Sequence, residues 1–118
     1  MKILGAGIDI VEVSHFKRAV QKGGERFLHR VFSRQELDQL KHRRDPTEGL
    51  AARFAVKEAV IKAFGSRRRA PRSLNDIEIL KTEKGVPQVK LPGKDLKVLI
   101  SMSHSREYAV ASALLFQK

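Results

Sequence analysis

The sequence predicts an α+β protein in which a small antiparallel sheet packs against one long and several short helices. Three observations carry this. A β-forming stretch opens the chain, a long run of helical periodicity occupies its middle, and short β-forming stretches separated by turn residues fill its last third. That order favours an antiparallel sheet over a doubly wound one. All 118 residues are expected to form one domain, because a chain of this length supports one modest core.

Residues 2–13 alternate short apolar side chains with glycines, and Ile8, Ile10 and Val13 mark a first strand. Ser14 suits a helix N-cap ahead of Phe16, Ala19 and Val20, with Gly23-Gly24 expected to end that helix. Phe27, Leu28 and Val31 then recur at helical spacing in a basic segment. Ser33, followed three residues later by Glu36, fits a capping box for a short helix through Leu37 and Leu40. Asp45-Pro46 stops that helix, since a residue before proline disfavours the helical region. The long helix is expected from Thr47 or Glu48 to Phe64, with Ala52, Val56, Ala59, Val60 and Ala63 as its core stripe. Glu58 and Lys62 lie on a different face with Phe54, and Gly65 reads as a C-terminal cap. Residues 66–72 form a basic loop. A strand through Ile77 and Ile79, a turn at Glu83-Lys84-Gly85 and a partner strand at 86–91 with Pro87 near its edge follow. Two last strands are expected at 97–103 and 108–116, joined through residues 104–107.

Twenty-four Lys and Arg against thirteen Asp and Glu give a formal charge of +11, which draws an anionic partner: nucleic acid, a phosphorylated small molecule or an acidic protein. With zero cysteines the chain has no disulfide, thiol nucleophile or Cys-based zinc site, so any metal must be held by oxygen or imidazole. No apolar run approaches the roughly 20 residues needed to cross a bilayer. The first residues do not read as a signal peptide, and a cytoplasmic protein is expected.

Gly5-Ala6-Gly7 fails as a dinucleotide fingerprint, because Ile10 stands where the third glycine belongs; a close backbone approach suits these glycines better. Asp9 interrupts a β-forming run and needs a compensating partner. Taken with Glu58, it offers two carboxylates that could share Mg²⁺, leaving other positions to water and phosphate oxygens. Lys62, one turn on, could reach a phosphate oxygen. The same three residues also fit an edge-strand Asp and a surface i,i+4 ion pair. His104, flanked by Ser101, Ser103 and Ser105 at a strand end, suits either a turn or an anion site. His15, His29 and His42 lack metal-ligand spacing. The arginines between residues 67 and 72 suit a solvated loop or a phosphate contact, and no aromatic residue interleaves them as a base-stacking platform would require. From these residues alone, a small basic RNA-binding module is an alternative to an enzyme.

Taken together, the blocks resemble one family. They are Gly7-Ile8-Asp9-Ile10-Val11-Glu12, Arg26-Phe27-Leu28 leading to Val31-Phe32-Ser33, Ala52-Arg53-Phe54-Ala55-Val56-Lys57-Glu58-Ala59 with Lys62-Ala63-Phe64-Gly65, and Ser101-Met102-Ser103-His104-Ser105-Arg106-Glu107-Tyr108. Their order and spacing over nearly the whole chain are similar to the holo-acyl-carrier-protein synthases. The resemblance implies transfer of 4′-phosphopantetheine from coenzyme A to a serine of an acidic acyl carrier protein in fatty acid biosynthesis, with no nucleic-acid or membrane partner. It also implies a homotrimer with active sites between subunits. Asp9 and Glu58 would then bind Mg²⁺ and Lys62 a phosphate, with Arg53, Gly65, Ser66 and His104 toward the nucleotide end of coenzyme A. His15, Arg26 and Arg30 would meet the carrier protein, His15 standing where the family commonly has arginine. The loop after Gly65 is arginine-rich here where the family often has glycine.

Overall fold

A computed structural model describes residues 2–67 and 69–118 of the chain. Its elements run β1 (Lys2–Glu12), α1 (Val13–Val31), α2 (Arg34–Leu40), α3 (Thr47–Phe64), a single 3₁₀ turn at Leu74–Asp76, β2 (Glu78–Lys81), β3 (Pro87–Lys90), β4 (Leu96–His104) and β5 (Tyr108–Gln117). The strands form two antiparallel sheets, one ordered β1-β5-β4 and a smaller one of β2 and β3. The expected α+β class holds. The separation of β2–β3 from the main sheet is a feature that strand patterning could not supply.

α3 lies across the main sheet on a seam of small residues. Along β5 the residues alternate, with Ala109, Ala111 and Ala113 turned to the helix and Val110, Ser112 and Leu114 turned away. Gly5 and Gly7 face the same helix from β1. A Cβ at Gly5 would lie 2.0 Å from the Ala63 carbonyl oxygen, and one at Gly7 1.9 Å from that of Ala59. Only glycine allows so close an approach. The expected core stripe of α3 is buried, as are most of its other positions, which leaves Phe54, Glu58, Ile61 and Lys62 as the outward stripe of its last three turns. α1 is pinned to α3 by aromatic contacts, Phe16 lying 5.5 Å from Phe54 and 6.2 Å from Phe32 between ring centres.

One local expectation is corrected. Ser14 does not cap α1: the helix begins at Val13 with Glu12 in the cap position and no capping side-chain bond. Its start is set by the backbone, Val13 N donating to the Glu107 carbonyl at 2.9 Å. The first helical stretch of α1 does end at Gly24, as expected. Gly24 takes φ 57° and ψ −146°, which kinks the chain, and helix resumes as far as Val31 because Phe27 and Leu28 still have a core to pack against. The Ser33–Glu36 capping box is also present in both its hydrogen bonds, and Gly65 caps α3 with φ 60°.

Candidate active site

The glycine seam decides where Asp9 sits. Gly5, Gly7 and Asp9 alternate along the face of β1 that meets α3, so once the two glycines touch the helix backbone the next side chain on that face must meet the helix too. Asp9 Oδ1 accepts a hydrogen bond from Lys62 Nζ at 3.0 Å, and the same ammonium donates to the Ile8 carbonyl at 3.1 Å. Glu58, one turn before Lys62, lies close to both. Its carboxyl is pushed above the usual carboxylate range, chiefly by desolvation and next by the neighbouring charge of Asp9, while Lys62 acts in the opposite sense.

Two carboxylates are therefore held together with one ammonium between them and solvent. Among the described residues no three His, Asp or Glu side chains gather as a cage. The donors are the hard oxygens of Asp9 and Glu58, with the Ile8 carbonyl beside them. This set fits a cation that takes one or two carboxylates and completes its shell with water and phosphate. An open depression lined by Ile8, Asp9, Ile10, Lys62 and Val110 leads from these groups to the bare face of the sheet. Gly65 and Ser66 are exposed at the end of α3, one turn beyond Lys62.

The remaining expected residues lie elsewhere. His104 ends β4 and its Nδ1 is 3.2 Å from Oε1 of Glu48, in the first turn of α3. Glu48 precedes Glu58 by ten residues, about 15 Å along a helix. One chain therefore does not bring His104 to the carboxylate pair. Arg53, expected at the coenzyme, is 2% exposed and turned inward, its Nε donating to the Ile79 carbonyl and its Nη1 to that of Gly49, both at 3.4 Å. As the chain stands, Arg53 offers charge to this region but almost no surface. Burial lowers its pKa, Glu36 works against that and Arg43 adds to the fall, and Lys81 is lowered by burial and then by Arg43 and Arg53. Three cations thus press on one another near the start of α3. His15 is exposed and pairs with Glu12 at 3.1 Å, and Arg26 and Arg30 are exposed on the far half of α1. Of the loop arginines, Arg67 donates to the carbonyls of Leu4 and Phe64, and Arg69 pairs with Asp95; Arg68 lies outside the described residues.

Sequence reasoning missed a second ion pair on α3. Lys57 and Glu36 are both 0% exposed and 2.7 Å apart. The available signal was a lysine placed directly after the apolar pair Ala55-Val56 of the core stripe, and a capping-box glutamate that could bridge further than its own helix.

With this geometry in place, comparison with known proteins is specific. The family model described as the 4′-phosphopantetheinyl transferase superfamily matches residues 5–113. A holo-[acyl-carrier-protein] synthase of Thermodesulfovibrio yellowstonii is 43% identical over 113 residues, covering 96% of this chain and 98% of that protein. One from Natranaerobius thermophilus is 40% identical, covering 97% and 98%. Among solved structures, the Bacillus anthracis holo-(acyl-carrier-protein) synthase in complex with CoA (3′,5′-ADP) superposes with a TM-score of 0.86 at 33% identity, covering all of both chains. The Helicobacter pylori synthase in complex with coenzyme A gives 0.82 at 28% identity, covering 94% of this chain and 99% of that one. The chain belongs to the 4′-phosphopantetheinyl transferase superfamily and, within it, to the holo-[acyl-carrier-protein] synthases.

Proposed function

We propose that this member of the 4′-phosphopantetheinyl transferase superfamily moves the 4′-phosphopantetheine of coenzyme A onto a serine hydroxyl of an acyl carrier protein. The serine oxygen forms a bond to the phosphorus that carries pantetheine, the phosphoanhydride bond breaks, and adenosine 3′,5′-bisphosphate leaves. The carrying observation is the convergence of Asp9, Glu58 and Lys62. Phosphoryl transfer asks for positioning and charge neutralisation more than for covalent help. Lys62 supplies one fixed positive charge for the pyrophosphate. Mg²⁺, held by Asp9 and Glu58, would neutralise phosphate charge when bound. Gly65 and Ser66 lie where the nucleotide end of the coenzyme would pass.

Two features support an assembly of several copies, a homotrimer in our reading. Ile8 and Ile10 of β1 are 67% and 64% exposed, and with Val110, Leu114 and Leu99 they make an apolar band across the open face of the sheet. A band of this kind marks an interface. His104 pairs with Glu48 at the start of α3 rather than with Asp9, Glu58 or Lys62, and a neighbouring copy could bring such a group to them. The exposed bases of α1, with His15, Arg26 and Arg30, would receive an acidic carrier protein and speed its approach. No helix among the described residues is long and apolar enough to cross a membrane.

Incubation with coenzyme A, Mg²⁺ and an apo carrier protein is expected to add the phosphopantetheine mass to the carrier, and no addition across pH and carrier choice would reject the assignment. The alternative of an RNA-binding module loses two of its loop arginines to internal contacts. Calorimetric titration of coenzyme A with and without Mg²⁺ separates the two readings, because an RNA module gives salt-dependent nucleic-acid binding and no metal-dependent coenzyme binding.

A further inference from the structure

The buried pair Lys57–Glu36 takes no part in the chemistry above, yet its hydrogen bonds reach five elements. Lys57 Nζ donates to the Val31 carbonyl at 2.6 Å, to Glu36 Oε1 at 2.7 Å and to the Leu74 carbonyl at 3.0 Å, which uses all three ammonium hydrogens. Glu36 Oε1 also accepts from Ser33 N at 2.8 Å, and Oε2 accepts from Ile79 N at 3.0 Å. The end of α1, the starts of α2 and β2, and the 3₁₀ turn are thereby tied to one point on α3. Phe32 closes the site, its ring centre 5.1 Å from the ammonium.

Such a point matters because the apolar surface of α3 runs nearly all the way round, and the glycine seam against Ala59 and Ala63 constrains it from one side only. Directional bonds to a buried ammonium add a second constraint, from the opposite layer, that is satisfied at one rotation. Rotation by one residue, about 100°, would put the Glu58 carboxylate in place of the ammonium and leave Glu36 facing a like charge. Lys62 lies about 140° around the helix from Lys57, so whatever fixes Lys57 inward fixes Lys62 outward.

We propose that Lys57 and Glu36 are positioning residues for the active site, setting the rotation and register of α3 so that Glu58 and Lys62 face Asp9. This rests on the function proposed above. Its test compares the wild type with the Glu36→Gln/Lys57→Met double variant, in which both charges go together. Expected are a Tm within a few degrees of wild type, a dissociation constant for coenzyme A with Mg²⁺ raised at least about 10-fold, and kcat lowered by about 10- to 100-fold. A folded double variant with wild-type coenzyme affinity and kcat overturns the proposal. Should that variant not fold, Glu36→Asp keeps both charges but shortens the reach; the same losses are expected, and wild-type values overturn it. Should the wild type itself not bind coenzyme A, the functional reading falls, and the positioning role is read from the amide chemical shifts of Ile8 and Asp9, which neither substitution touches. Displaced shifts in the variant support the role and wild-type shifts refute it.

Discussion

Lys57 and Lys62 stand on the same helix, and each meets a carboxylate from another element, at 2.7 and 3.0 Å. Everything around those contacts differs. Lys57 and Glu36 are fully enclosed and their polar atoms are matched by protein, whereas Lys62 is 55% exposed and faces Asp9 with a second carboxylate, Glu58, nearby. A closed pair has no capacity left for a ligand. An open group with two acids and one base is unbalanced, and a cation or a phosphate can complete it. An exposed pair of the Lys62 type contributes about 0–1 kcal/mol to stability, so Asp9–Lys62 is poor structural equipment. The closed pair is different in kind: burial pulls the Lys57 pKa down and Glu36 draws it back up, and removing either partner strands the other.

The contrast can be broken from either side. The largest effect is expected from Lys57→Met alone, which leaves the Glu36 charge buried without its cation. A loss of about 3–5 kcal/mol should appear in chemical denaturation, and a loss below about 1 kcal/mol would show that water reaches the pair. Asp9→Ala and Glu58→Ala should do the opposite. Each is expected to lower kcat by about 100- to 1000-fold with the fold intact by circular dichroism, and near-normal turnover in either variant would refute the metal role. Gly7→Ala bridges the two regions. Its Cβ would collide with the Ala59 carbonyl oxygen, so β1 must lift from α3 at a cost of about 1–3 kcal/mol, and the displacement of Asp9 should reduce turnover as well.

The smallest effect is one of pH. Because the Glu58 carboxyl lies above its ordinary value, the folded protein holds that proton more tightly than the unfolded chain. Stability then falls as pH rises through a window opening just above the ordinary glutamate value of about 4.3. Glu58→Gln has no such titration. In metal-free protein the Tm difference should move in favour of the variant as pH rises through that window, and vanish below it. A difference of opposite sign would mean that Lys62 outweighs burial and Asp9.

Much of this was legible in the chain. The capping box at Ser33 and Glu36, the extent of α3, the glycine cap after it and the span of β5 are local patterns, each set by bonds or spacings within a few residues. The pairing of Asp9 with Glu58 and Lys62 could be anticipated because an acid on a strand and a charged stripe on a helix both need partners. The start of α1 escaped, since a backbone contact with Glu107 sets it.

Sequence patterning thus set the elements, the outward stripe of α3 and the residue types able to hold a phosphate and a metal, because these follow from periodicity and side-chain chemistry. Only the folded chain could show that Arg53 and Lys57 turn inward, that His104 pairs with Glu48 in the first turn of α3, and that β2–β3 forms a separate sheet. The physical reason is that burial and ion pairing depend on what other segments bring to a side chain. Residues adjacent in sequence, Lys57 and Glu58, meet different surroundings because α3 presents one to the interior and the other to the partly exposed cluster with Asp9 and Lys62.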